Sequence, residues 1–122
     1  MEIGREIFLS SLDTAEWRFD PEVGGDMHVV VEDETAYVGL ERFSATPSPI
    51  EWTLPERETV LILEGAARIE VEGGPTLELR VGDVASIPKG AVTTWHLSTP
   101  FKELWFFGRP YERDAEGDAE RA

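Results

Sequence analysis

Apolar and polar residues alternate along most of this chain at the two-residue period of β-strands, and helical periodicity is hard to find. The clearest stretch runs from Ala67 to Glu72, where Ala67, Ile69 and Val71 fall on one face and Arg68, Glu70 and Glu72 on the other. Thr76 to Arg80 repeats the pattern with Leu77 and Leu79 inward. Glu58 to Leu63 is almost continuously apolar and reads as a buried strand stopped by Glu64 and Gly65. Further strands are predicted over Val84 to Ile87, Thr93 to Leu97 and Phe101 to Phe107, with turns at Gly73-Gly74-Pro75 and Val81-Gly82-Asp83. Upstream, His28 to Val31 and Thr35 to Phe43 are strands joined by a hairpin turn at Glu32-Asp33-Glu34, and Pro47-Ser48-Pro49 ends the second.

The two ends depart from this body. Ile3 to Leu12 contains enough apolar residues for an added strand, on a sheet of its own or exchanged with a partner subunit. Tyr111 to Ala122 has no apolar face and is expected to be a disordered acidic tail. The division is therefore an N-terminal segment over 1–25, an all-β body over 26–109 and a tail over 110–122.

Composition narrows the function classes. With 122 residues the chain has the length of one domain, and without cysteine it has no disulfide framework, thiolate zinc site or thiol nucleophile. The first residues lack the basic region of a signal peptide, and no apolar stretch approaches the ~20 residues of a membrane-spanning helix. A cytoplasmic protein is expected. A formal net charge of −14 argues against nucleic acid and anionic membranes as partners, and is otherwise read as solubility.

Two stretches carry a recognisable pattern. One holds Trp52, Glu58 and the turn Ile62-Leu63-Glu64-Gly65; the other holds Gly82-Asp83, Pro88-Lys89-Gly90 and Trp95. Gly65 and Gly82 suit strand ends that need positive backbone angles, and Pro88 preorganises the turn before Gly90. Together the two stretches resemble the paired motifs of the cupin superfamily, and more closely its cupin 3 branch of ureidoglycine aminohydrolase-like and ethanolamine-utilisation-like proteins. The likeness spans Gly39 to Phe107 and implies an all-β double-stranded β-helix, a jelly-roll barrel. Cupins commonly pair, and the last strand has apolar residues on both faces, so a homodimer is expected.

The departures from the pattern bear on function. The superfamily's metal site uses two histidines, a glutamate and a third histidine; here Trp52, Leu54 and Thr93 stand at the histidine positions and Glu58 alone remains. A metal ion is not expected there, because one carboxylate and a hydroxyl fall short of a transition-metal ligand set. Alternation turns His96 away from the face of Thr93, Trp95 and Leu97, and His28 reads as a surface or packing histidine.

Glu58 is the candidate for proton transfer or for gripping a ligand amine, since burial beside Trp52 and Trp95 would raise its pKa. A structural role, bonded to a tyrosine, Thr93 or a backbone amide, stands beside it. Glu103 shares the cavity if Trp105 and Phe107 face inward, although pairing with Arg42 or a place at a subunit interface is favoured for it. The expected ligand-binding residues are thus Trp52, Leu54, Glu58, Thr93, Trp95 and Glu103. Two functions follow: a metal-independent barrel binding a small metabolite, or an aminohydrolase-like or isomerase-like enzyme with Glu58 as acid or base, with or without a weakly held divalent metal.

Overall fold

A computed structural model describes residues 1–108, so the acidic tail expected over 110–122 lies outside the described residues. Within 1–108 there are ten strands and no helix, hence none long and apolar enough to cross a membrane. The strands are β1 (Glu2–Gly4), β2 (Ile7–Phe8), β3 (Arg18–Phe19), β4 (Asp26–Glu32), β5 (Tyr37–Phe43), β6 (Ile50–Thr53), β7 (Glu58–Val71), β8 (Thr76–Arg80), β9 (Val84–Ile87) and β10 (Val92–Phe107).

Two long strands organise the barrel. The first part of β10 pairs with β6 and with the second part of β7, which in turn pairs with β8. The second part of β10 pairs with β5 and with the first part of β7, which pairs with β9. β4 and then β3 extend the sheet beyond β5. Both halves send side chains into one core: Ile69, Leu79, Trp95 and Leu97 from one, Val60, Ile62, Phe101 and Trp105 from the other. Burying each of these aliphatic side chains contributes about 1.5–3 kcal/mol before ordering costs.

The break expected at Glu64 and Gly65, and the gap expected between Leu97 and Phe101, are corrected by the structure, where each pair of segments is one continuous strand. The chain bends there instead of turning back. Gly65 has φ of 77°, and the β7–β10 register shifts beside it, between Ser98 and Lys102 and again before Glu103. A Cβ on Gly65 would collide with the carbonyl oxygens of Ser98 and Pro100. Only glycine lets the two strands stay paired around this corner.

At the N-terminus, β1 and β2 form a small antiparallel sheet of their own, and β3 joins the main sheet at β4. The segment between them is fastened through His28. Its Nδ1–H donates to the Glu16 carbonyl at 2.8 Å, which leaves Nε2 to accept from the Ser10 hydroxyl at 2.7 Å. Trp17 is clamped beneath the Arg42 guanidinium, 4.1 Å from the ring centroid. These contacts bring the Asp20–Gly25 turn to the barrel; in it the Asp20 N–H donates to the Gly25 carbonyl and the Gly24 N–H to the Asp20 carbonyl, both at 2.8 Å.

Candidate functional site

Strand pleating decides which side chains meet inside the barrel. On β10, Phe101, Glu103, Trp105 and Phe107 share the inner face, opposite Phe43, Glu41, Gly39 and Tyr37 of β5. Glu58, Val60 and Ile62 of β7 continue that face on the other side. Gly39 leaves the room that Trp105 fills, since a Cβ there would lie 2.6 Å from the indole Cζ2. Trp105 then meets Tyr37 edge-on at 4.7 Å and Phe107 at 5.5 Å, while Tyr37 and Phe107 stack at 5.6 Å.

These residues enclose a cavity of about 320 Å³, closed on other sides by Ile50, Trp52, Trp95 and Leu97 and at its rim by Asp20, Glu22, Val23, Pro55 and Glu56. Four of its carboxyls are buried: Asp20, Glu41, Glu58 and Glu103. Trp52 Nε1 donates to Glu58 Oε1 at 3.2 Å. Glu41 shares a hydrogen bond with the Asp20 carboxyl, but its Oε2 and the Oε2 of Glu103 are buried without a hydrogen-bond partner.

Burial with no facing cation disfavours the charged form of Glu41, Glu58 and Glu103. Glu58 is pushed up to about 7 by burial, against the opposing pull of the Trp52 hydrogen bond. Glu41 is pushed up to about 10 by burial, the Asp20 hydrogen bond and repulsion from neighbouring acids. Burial and then repulsion from Glu58 hold Glu103 well above the ordinary carboxylate range.

The residues singled out from sequence are placed as follows. Trp52, Glu58, Trp95 and Glu103 line the cavity together. Leu54 does not: it lies just past the end of β6, 1% exposed in the hydrophobic core. Thr93 also lies behind the wall, its hydroxyl donating to the Trp52 carbonyl at 2.5 Å and accepting from Trp95 Nε1 at 2.9 Å. Glu103 is not paired with Arg42, which sits one register step away on the outer face with Asp26 at 3.5 Å.

His96 points outward as expected, 2.5 Å from Glu70. Glu41 and the Asp20 turn were missed. Glu41 was accessible in principle, because it lies between Gly39 and Phe43 on the same pleat; the Asp20 turn carried no periodic signal.

These positions do not suit the metal centre that the resemblance implies. The indole of Trp52 and the aliphatic side chain of Leu54 offer no metal lone pair, and the Thr93 oxygen is already engaged by Trp52 and Trp95. Among the described residues no three His, Asp or Glu side chains converge closely enough to hold an ion.

Comparison with known proteins agrees with the architecture. The family described as the EutQ-like cupin domain matches residues 33–105. A putative ethanolamine utilization protein Q from Salmonella typhimurium LT2 superposes with a TM-score of 0.67 at 21% identity, over 78% of this chain and 80% of that one. An RmlC-like cupin from Shewanella frigidimarina gives 0.68 at 16% identity, over 84% and 91%. The EutQ protein of Clostridium difficile gives 0.61 at 15%, over 74% and 71%. No curated protein matches the chain.

Proposed function

The chain belongs to the EutQ-like cupin family, and from that premise we propose that its barrel is a small-molecule binding domain working without the superfamily's histidine metal centre. The observation that carries this reading is the cavity itself. Its volume of about 320 Å³ falls at the small end of ligand pockets, its walls are largely aromatic, and Glu41, Glu58 and Glu103 reach it from three adjacent strands. Thr93 holds the Trp95 indole and the Trp52 main chain while Glu58 holds the Trp52 indole, which supports walls formed before anything binds.

Protein stripped with a chelator should still bind. Tryptophan emission followed across small amines, sugars and carboxylic acids should respond to at least one class, and silence across the whole panel would end the proposal.

Glu58 supports a second reading, an enzyme on a small metabolite. A carboxyl pushed up to about 7 beside a cavity is suited to accept and return a proton near neutral pH. Turnover that survives Glu58→Gln would remove this reading while leaving the first intact. A cytoplasmic homodimer belongs to the same proposal: cysteine is absent, and Phe106 on the outer face of β10 stays 44% exposed, an apolar surface that a second copy would cover. Sedimentation equilibrium with Phe106→Asp tests it, the variant being expected as monomer.

A further inference from the structure

Six acidic side chains line the cavity, Asp20, Glu22, Glu41, Glu56, Glu58 and Glu103, and among the described residues no lysine, arginine or histidine does. On so acidic a protein a group of carboxylates alone would mean little. Two further observations set this one apart. Glu41 and Glu103 are 5% and 7% exposed, and each has one buried carboxyl oxygen with no hydrogen-bond partner. A buried polar atom left this way is costly unless something arrives to satisfy it. Beside these oxygens, Tyr37, Trp105 and Phe107 form a continuous aromatic wall, and ring faces attract positive charge.

A bare metal ion fits poorly, because the acids are spread along the wall and the rings provide no ligand atoms. A positively charged head on a short carbon skeleton fits both features at once. We propose that the cavity selects a small organic ammonium ion, its head held by the cross-strand pair Glu103 and Glu41 and its carbon chain laid against Trp105, Phe107 and Tyr37. The inference rests on the small-molecule reading of the same cavity and adds the sign of the ligand's charge. Its N–H groups donate to the two unpartnered oxygens; a neutral alcohol of the same size supplies a single donor without the charge, and a carboxylate is repelled.

The carboxyls facing the head come from β5, β7, β10 and the Asp20 turn, and burial holds Glu41, Glu58 and Glu103 above the ordinary range. An arriving cation therefore displaces protons from them. Binding should release protons and tighten as pH rises from 6 to 8.

The test uses three probes of matched size, n-butylammonium, butan-1-ol and butyrate, titrated calorimetrically into the full chain at constant ionic strength in two buffers of different ionisation enthalpy. The expected result is at least tenfold tighter binding of n-butylammonium than of either other probe, with proton release. Glu103→Gln should weaken it at least tenfold, and Glu78→Gln on the exposed side of β8 should leave it unchanged. Equal or tighter binding of butan-1-ol or butyrate would overturn the charge assignment while keeping the pocket. Failure of all three probes would overturn it as well, and the pocket reading would then stand or fall on the wider panel. The comparison of probes needs only the wild-type chain, so poor folding of a variant does not weaken it.

Discussion

Thr93, at the position where the superfamily resemblance would put a histidine, serves structure. Its hydroxyl ties the Trp52 carbonyl and the Trp95 indole together, so Thr93→Val should leave two polar groups unsatisfied. A loss of about 1–3 kcal/mol in urea denaturation is expected, with a shift in tryptophan emission. Trp52 acts on Glu58 in turn. Its N–H stabilises the carboxylate, so Trp52→Phe should raise the Glu58 titration midpoint above about 7, read by carbon-13 NMR of the side-chain carboxyl. At this scale strand parity was informative: it turned Thr93, Trp95 and Leu97 inward and His96 out. Parity stops where a strand stops, and Leu54, one residue past β6, was assigned to the cavity when it belongs to the core. Partners are less legible still, and Arg42 was matched with Glu103 although the pleat puts them on opposite faces.

Among the elements, β7 and β10 each cross from one half of the barrel to the other, and their pairing around the corner at Gly65 holds the halves together. Gly65→Ala would combine a left-handed backbone angle with a collision against the opposite strand's carbonyls. It should cost more than about 2 kcal/mol, measured by chemical denaturation, with Gly73→Ala as a milder comparison in a turn that has open space around it. Sequence located strands β8 and β9 with their boundaries, since turns bound them on both sides. It split β7 and β10 because Gly and Pro mark departures from a straight strand without saying whether the chain reverses or bends there. The N-terminal segment was legible only as an extra strand. Its turn enters the site through tertiary contacts, with Trp17 on Arg42 and the Glu16 carbonyl on His28, that no local pattern announces.

For the whole molecule the buried acids set the pH dependence. Glu58 keeps its proton to about 7 and Glu41 to about 10 when folded, whereas both ionise near 4.5 when unfolded. Between those limits the folded state binds more protons than the unfolded one, so stability falls as pH rises. For Glu58 alone the loss is on the order of 3 kcal/mol, accumulating from about pH 4.5 and complete once the pH has passed about 7. The protein should therefore be less stable to urea at pH 8 than at pH 5, and Glu41→Gln with Glu103→Gln should flatten the difference. The all-β class followed from alternation, and the jelly-roll barrel from the resemblance carried by the two motifs. The site followed only in part, because Glu41 of β5 and Glu103 of β10 become neighbours through register, which no local pattern announces. The most direct measurement is a carbon-13 NMR titration of the glutamate carboxyls with and without n-butylammonium. The account predicts at least one cavity carboxyl titrating near 7 or above in the free protein and moving down when the cation is present. Ordinary midpoints near 4.5 for Glu41, Glu58 and Glu103 alike, unmoved by the cation, would contradict it.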